Sequence, residues 1–272
     1  MTVDFRAALA ALLLAGCAGA EATVDEPAAP ETDPEEALWS NESKVIVGSV
    51  DWKSTTTLDP NGPEARNAKA VGYLSIPAKG TRCTAWLIAN DKVVTNNHCI
   101  ANAEQAVGAR VSFNYEDGVS STQRIWWDCS GFVKSWTDVD ATVLTCKARD
   151  GKLPGQVYGT VALASANAAT NASIYVLHQN CDYYTTSGCS PTKKYSPGYV
   201  KNGSYSTTQL TYTADTLGGS SGSAVFIRTG TYAHKLVALH NLGFGGDENG
   251  RGTQNGGIKV LSLKKRLAEV GL

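Results

Sequence analysis

Short stretches rich in Val, Ile, Thr, Tyr and Trp alternate with clusters of Gly, Asn, Asp and Pro along most of this 272-residue chain. Because β-branched and aromatic residues favour extended backbone and the intervening residues favour turns, the pattern is typical of an all-β barrel or sandwich. The predicted strands are Lys44–Val50, Ala70–Ile76, Cys83–Ala89, Lys92–Thr95, Arg110–Tyr115, Thr142–Cys146, Ser173–His178, Leu210–Thr213, Ala224–Arg228 and Lys235–Leu239. Residues 261–270 alone follow a clear helical period, which predicts a short C-terminal helix.

The segment Gly219–Val225 carries the strongest chemical signal. It reads Gly-Ser-Ser-Gly-Ser-Ala-Val, and glycines on both sides of a serine let backbone N–H groups converge where a reacting carbonyl oxygen would sit. We therefore take Ser221 as the candidate nucleophile. A serine hydroxyl needs a base and an orienting acid to react at neutral pH. His98, at the end of an apolar run, offers the base, and Asp138 or Asp140, ahead of a β-rich run, offers the acid.

The order His, Asp, Ser, with a cysteine directly after the histidine, resembles the chymotrypsin-like serine peptidases, in particular the bacterial branch that contains the glutamyl endopeptidases. The resemblance covers roughly residues 43–272. The segments that carry it follow one another in the right order: Cys83–Ile88, Val93–Cys99, Asp138–Leu144, Gly219–Val225, Leu236–Gly243 and Asn255–Val260. Asn96 and Asn97 stand where alanines are usual in this family.

The resemblance implies two antiparallel six-stranded β-barrels and a short C-terminal helix. It places the N-terminal barrel in residues 43–150 and the C-terminal barrel with the helix in residues 151–272, with the boundary in the Gly/Pro/polar stretch 149–159. It implies that His98 is the general base and that Asp140, rather than Asp138, orients it, because the family's acid directly precedes a short strand. No cofactor is implied.

Within the nucleophile segment, the resemblance implies that the backbone N–H groups of Gly219 and Ser221 form an oxyanion hole. Ser220 and Ser223 are local rivals to Ser221, but neither has the Gly-x-Ser-Gly frame. In digestive relatives an aspartate before the nucleophile pairs with a newly cut, buried N-terminus. Ser220 occupies that position here, so this ion-pair switch cannot operate as such. The segment Val45–Gly48 is similar to a mature N-terminus, and it could equally be the first strand.

The signals for substrate preference conflict. Asp215 lies six residues before Ser221, where trypsin-like members attract Lys or Arg, whereas His240 and Thr216 stand where glutamyl endopeptidases bind a substrate carboxylate. The substrate-binding prediction therefore comprises Asp215, Thr216, His240, Asn241 and Gly243, with a preference for basic side chains. The alternative is that Asp215 is a satisfied buried residue, paired with His240 or with backbone groups.

The N-terminus is typical of an exported lipoprotein. One arginine precedes a short apolar run, and Leu14–Cys17 then places small residues before a cysteine, which suits cleavage and acylation of Cys17. Acyl chains on Cys17 would hold the protein at a membrane, and Ala18 rather than an aspartate after it indicates the outer membrane or cell surface. An ordinary secretory signal and a secreted protein are the alternative. Residues 18–42, poor in basic and apolar side chains, predict a disordered acidic tether.

Seven cysteines less Cys17 leave six, and an oxidising compartment favours three disulfides. The resemblance implies Cys83–Cys99, while Cys181–Cys189 and Cys129–Cys146 follow from proximity and remainder. A metal site is the alternative to disulfides; it is disfavoured because no Cys-x-x-Cys pair occurs and the histidines are scattered.

The modest, unclustered surplus of basic residues after residue 36 argues against a nucleic-acid partner. The sequence therefore predicts a monomeric, membrane-tethered serine endopeptidase that acts on polypeptides. A catalytically silent barrel that serves as a surface-binding domain is the alternative. An acyl hydrolase of the Gly-x-Ser-x-Gly type is disfavoured, since its serine comes before the acid and the histidine, not after them.

Overall fold

A computed structural model describes Met1 and residues 45–181, 191–247 and 249–272. The described residues contain sixteen short strands. In chain order these are β1 (Ile46–Val47), β2 (Lys53–Ser54), β3 (Val71–Ile76), β4 (Thr81–Ala89), β5 (Lys92–Thr95), β6 (Arg110–Ser112), β7 (Trp127–Asp128), β8 (Gly131–Trp136), β9 (Ala141–Thr145), β10 (Ser173–Gln179), β11 (Lys193–Asn202), β12 (Gln209–Tyr212), β13 (Ala224–Ile227), β14 (Leu236–Phe244), β15 (Arg251–Gly252) and β16 (Gln254–Lys259).

The strands form two large antiparallel sheets, as the all-β prediction requires. The first has the order β7-β6-β3-β4-β5-β9-β8 and curls into a half-barrel. The second has the order β10-β13-β14-β16-β12-β11, and a further pairing of β10 with β11 closes it into a six-stranded barrel, to which β2 adds at its edge. The chymotrypsin-like all-β architecture is thus confirmed, with the first barrel open within the described residues.

Three α-helices lie outside the sheets in the part of the chain that the structure describes. They are α1 (Pro63–Lys69), α2 (Pro154–Tyr158) and α3 (Val260–Leu267), and a 3₁₀ turn at Ala268–Val270 extends α3. The predicted C-terminal helix is confirmed, whereas α1 and α2 were not predicted. Both begin with proline at the first helical position, which fixes φ where the missing N–H costs nothing, and both are too short to show an apolar period.

Buried apolar side chains line both large sheets. Buried apolar residues such as Leu74, Trp86 and Val94 fill the first sheet, and Tyr175, Val225 and Leu239 fill the second. At about 25 cal/mol per Å², such burial is the main force that stabilises each sheet.

A fully buried cation joins the two sheets. Lys193 in β11 is fully buried, and its ammonium donates to Ala68 O at 2.7 Å, to Phe113 O at 2.7 Å and to Glu116 Oε1 at 2.9 Å. Burial lowers the pKa of Lys193, opposed by the carboxylate of Glu116. All three acceptors belong to the N-terminal half, so the contact fixes the barrel against the half-barrel.

Candidate active site

Neighbouring strands of the half-barrel bring His98 and Asp140 together. β5 ends at Thr95, three residues before His98, and Asp140 immediately precedes β9. β5 and β9 are antiparallel, with Thr95 opposite Thr142, so the end of one strand lies beside the start of the other. The disulfide Cys83–Cys99 then ties the histidine loop to β4.

Asp140 holds the imidazole of His98 at two points. Its Oδ2 lies 2.8 Å from His98 Nδ1, and its Oδ1 accepts from the His98 backbone N–H at 3.0 Å. Asp140 is only 3% exposed and has a φ of +38°, a conformation that aspartate tolerates better than most residues. With Nδ1 donating to the carboxylate, the lone pair of His98 lies on Nε2, the nitrogen that a general base needs. Within the described residues, Nε2 has no hydrogen-bond partner.

Asn96 strengthens this arrangement, although it was not among the predicted site residues. Its Nδ2 donates to Asp140 O at 2.8 Å, and the residue is fully buried. The amide thereby fixes the backbone of the acid as well as that of the histidine loop. A polar residue where the family usually has alanine was the one available signal.

The loop that carries Ser221 comes from the barrel and packs against the half-barrel next to the histidine. The Thr84 backbone N–H donates to Ser221 O at 2.8 Å, and Thr84 Oγ1 donates to Gly219 O at 2.9 Å. On the other side, Gly222 N donates to His240 O at 3.1 Å, and His240 N donates to Ser223 O at 2.9 Å. The loop is therefore fixed between β4 and β14.

Glycines allow this close approach. Gly219 and Gly222 have φ of +99° and +82°, where an L side chain is strained. A Cβ at Gly222 would collide with Thr84 O and Thr95 Oγ1, and a Cβ at Gly219 would lie 2.9 Å from Gln179 O. The close contact at Gly222 places the serine loop against Thr95, which precedes His98 by three residues in the chain.

The backbone N–H groups of Gly219 and Ser221 flank the residue before the nucleophile. Within the described part of the chain, neither N–H has an acceptor. Two such donors, turned to one point, are what an oxyanion hole requires.

Asp215 does not present an open carboxylate. It is 1% exposed, and its two oxygens accept from Val47 N–H at 2.7 Å and from Asp51 N–H at 3.0 Å. Burial, together with the neighbouring carboxyl of Asp215, raises the pKa of Asp51 to about 7, and burial also raises the pKa of Asp215. These contacts match the buried Asp–backbone pair considered above, and they give no support to a role in attracting basic side chains.

The other predicted substrate-binding residues lie on or beside β14. His240 is buried, with Nδ1 directed to the Tyr212 hydroxyl and 3.1 Å from Gly256 O, so Asp215 and His240 have different partners. Thr216 Oγ1 donates to Asn255 Oδ1 at 2.8 Å.

Asn241 and Gly243 follow His240 along the same strand. Asn241 is 2% exposed, and no described residue bonds its amide. Gly243 pairs with Asn255 in β16. Their predicted contact with substrate stays a prediction.

Two of the three predicted disulfides are present, Cys83–Cys99 and Cys129–Cys146. Cys181 is disulfide-bonded, but Cys189, its predicted partner, lies outside the described residues. The predicted lipidation at Cys17 and the tether at 18–42 also lie outside them. Across the described residues, every helix is too short or too polar to cross a bilayer.

Solved structures with the same fold are peptidases. A structure titled Glu endopeptidase in complex with MPD matches with a TM-score of 0.54 and 19% identity, over 83% of this chain and 99% of that one. The protease Anisep from Arthrobacter nicotinovorans matches with a TM-score of 0.55 and 16% identity, over 74% of this chain and 95% of that one. At these identities the likeness shows the fold.

Sequence comparison identifies the family. A Sinorhizobium fredii protein named "Uncharacterized protein y4fB" is 32% identical over 215 residues, which cover 73% of this chain and 31% of that protein, so the chain spans under a third of that relative. The trypsin-like peptidase domain matches residues 83–238, more than half of the chain. That range contains His98, Asp140 and Ser221, and this protein belongs to the trypsin-like peptidase family.

Proposed function

We propose that this protein is a serine endopeptidase that cleaves polypeptides through Ser221, His98 and Asp140. Ser221 Oγ attacks the peptide carbonyl carbon while His98 Nε2 takes the hydroxyl proton. The C–N bond then breaks, and His98 returns the proton to the leaving amine. Water hydrolyses the resulting acyl-enzyme by the same route. Asp140 keeps the imidazole in the required tautomer and stabilises its cation.

The two-point contact between Asp140 and His98 is the observation that carries the proposal. A buried carboxylate that accepts from both the ring and the backbone of one histidine, at 2.8 and 3.0 Å, leaves Nε2 as the only basic ring position. Electrostatic assistance comes from the Gly219 and Ser221 N–H groups, each worth roughly 3–4 kcal/mol in comparable sites. A barrel that merely binds a surface would need neither feature.

An active-serine phosphonate tests the assignment. We expect the full-length protein to form one covalent adduct, seen as a mass increase, and Ser221→Ala to form none. Ser223→Ala, which removes a neighbouring hydroxyl of the same loop, is the matched control for specific labelling of Ser221. Equal labelling of wild type and Ser221→Ala would reject the assignment, and no labelling of wild type would favour the silent binding domain.

We further propose that the substrate side chain at the cleaved bond is acidic rather than basic. Asp215 accepts from two backbone N–H groups and so has little charge to offer a lysine or arginine. His240 is the residue proposed to contact a substrate carboxylate through its imidazole, whereas Thr216 Oγ1 donates its proton to Asn255 Oδ1. One structural neighbour is titled a Glu endopeptidase, which agrees with this choice.

A peptide-library digest separates the two preferences. We expect cleavage after Glu to exceed cleavage after Lys or Arg by at least about tenfold, the range that one buried polar contact can supply. Replacing His240 with Gln should reduce this ratio, whereas Asp215→Asn should leave it unchanged. Cleavage mainly after Lys or Arg would restore the interpretation based on Asp215.

Export, acylation at Cys17 and a monomeric state remain proposals that rest on the sequence alone. Metabolic labelling with a fatty-acid analogue, compared between the wild type and Cys17→Ser, would test the anchor.

A further inference from the structure

The residue before the proposed nucleophile is held by a histidine that the proposed mechanism does not use. Ser220 Oγ lies 2.8 Å from His178 Nδ1, and it accepts from the Leu217 backbone N–H at 3.3 Å. Ser220 and His178 are both fully buried. His178 belongs to β10, so the contact fastens the nucleophile loop to the wall of the barrel.

The contact joins two neutral groups. Because Ser220 Oγ already accepts from Leu217, its own proton can go to His178 Nδ1, which requires the imidazole proton to be on Nε2. Burial, with a smaller contribution from the charge of Lys194, lowers the pKa of His178 to about 3. The ring of Trp52 packs against the imidazole at 6.2 Å. Lys194 is the charged group that faces His178, and the imidazole stays uncharged at neutral pH.

The backbone of Ser220 sets the direction of one oxyanion-hole donor, the Ser221 N–H. Ser220 N donates to Leu217 O at 2.9 Å, and Ser220 O accepts from Ser223 N at 3.0 Å. Since each peptide unit is planar, holding Ser220 O fixes the Ser221 N–H on the opposite side of that unit. Holding Ser220 N likewise fixes the carbonyl of Gly219. The side chain of Ser220 adds a further contact to these backbone bonds, because its hydroxyl is bonded to His178.

We propose that His178 is a positioning residue, which acts through Ser220 to keep the Ser221 N–H group aimed at the developing oxyanion. The inference rests on the proposed function. Digestive relatives place an aspartate where Ser220 stands and pair it with a cut N-terminus. A neutral hydrogen bond from within the barrel does the same task here without a charge.

The test compares kcat and KM of the full-length protein on one peptide substrate. His178→Leu should lower kcat about 10- to 100-fold with KM changed less than twofold, because an oxyanion hole acts on the transition state and not on bound substrate. His178→Asn places an amide oxygen near the position of Nδ1 and should recover at least about half of that loss on a logarithmic scale. Ser220→Ala should match His178→Leu, and the double variant should be no slower than either single variant.

His234→Asn is the control. His234 lies in the same half of the chain, bonds to Tyr175 and has a φ of +63° that asparagine tolerates, so its kcat should equal that of the wild type. If His178→Leu fails to fold by circular dichroism, Ser220→Ala carries the test with the same expected loss in kcat.

The outcomes separate the two proposals. If the wild type does not react with the phosphonate, the proposed function fails. If the wild type reacts but Ser220→Ala and His178→Leu keep kcat within twofold, the positioning role is overturned. An equal change in kcat and KM, or additive losses in the double variant, would overturn it as well.

Discussion

The two halves of the proposed active site are built by different means. The half-barrel supplies His98 and Asp140 as side chains on adjoining strands, held by a direct contact of 2.8 Å. The closed barrel supplies the serine loop, whose shape depends on two glycines at positive φ and on backbone contacts with Thr84. The first half should therefore be sensitive to side-chain chemistry at constant stability. The second should be sensitive to any added atom, with losses in stability as well as in rate.

The largest effect is expected in the first half when its base is removed. His98→Ala should reduce kcat by on the order of 10⁶-fold, and combining it with Ser221→Ala should cost almost nothing more, because the two residues act as one unit. Steady-state kinetics on the single and double variants measures this. Losses that multiply would mean that His98 and Ser221 act independently, which would break the proposed site.

A second change tests the side-chain character of the same half. Asp140→Asn keeps the shape of the residue but favours the wrong imidazole tautomer, so kcat should fall by on the order of 10⁴-fold with a melting temperature close to that of the wild type. Asp138→Asn is the matched control. Asp138 Oδ2 forms a salt bridge with Arg266 Nη2 at a distance of 2.6 Å and does not contact the histidine. A comparable loss of activity in Asp138→Asn would contradict the choice of Asp140 over Asp138 as the acid.

The backbone character of the second half is tested by adding one methyl group. Gly222→Ala places a Cβ against Thr84 O at a φ of +82° and should lower the free energy of unfolding by roughly 2–4 kcal/mol. Gly218→Ala, four residues earlier in the same loop, meets no atom within 4 Å and should change it by less than about 0.5 kcal/mol. Urea unfolding of both variants gives the comparison, and equal midpoints would contradict the tight fit.

The smallest effect concerns the Asp51–Asp215 pair, in which Asp215 lies six residues before Ser221. The pKa of Asp51 is raised from 3.8 to about 7 in the folded protein. The folded state therefore binds a proton that the unfolded state lacks, so this pair's contribution to stability declines as pH rises from about 4 to about 7 and is level above. Asp51→Asn removes this decline.

At pH 8 we expect Asp51→Asn to be more stable than the wild type by roughly 1 kcal/mol, a value reduced because the pair is partly exposed to solvent. Asp150→Asn is the control, since Asp150 lies on the surface at a φ of +50° and should not alter the pH dependence. Thermal melts at several pH values measure both variants. If the melting temperatures of Asp51→Asn and the wild type change with pH in the same way, the pKa of Asp51 is not raised in the folded protein.

Local sequence patterns predicted most of the strands. The stretch Lys92–Thr95 has the same bounds in sequence and structure, because a β-branched run bordered by turn residues has few other conformations. β11 was missed, since Pro197 and Gly198 interrupt it and two lysines begin it. Lys193 is nonetheless fully buried, because carbonyl groups from distant segments satisfy its ammonium. A pattern of neighbouring residues in the sequence cannot predict such distant partners.

The same limit applies to the site. His98, Asp140 and Ser221 each stand in a short motif, so the sequence could select them. His178 stands in none, and Asn96 lies in the histidine motif but was not a predicted site residue. Their partners lie 42 and 44 residues away along the chain. Asp215 shows the same limit, because its position left an open pocket and a satisfied buried pair as alternatives, and the N–H groups that bond its carboxylate come from the distant N-terminal segment.

Lys193 has a practical consequence for anyone who wishes to cut this molecule in two. If the chain were divided between the two sheets, as in a split reporter, one fragment would carry a buried ammonium without its acceptors. The other fragment would carry three oxygen atoms without their donor. The contact between this ammonium and its three acceptors would favour reassembly. Fragments divided between the two sheets should therefore associate spontaneously, and such a split reporter would give a signal without the interaction that it is meant to detect. Surface turns within one half, well away from this ammonium, are better places to divide the chain.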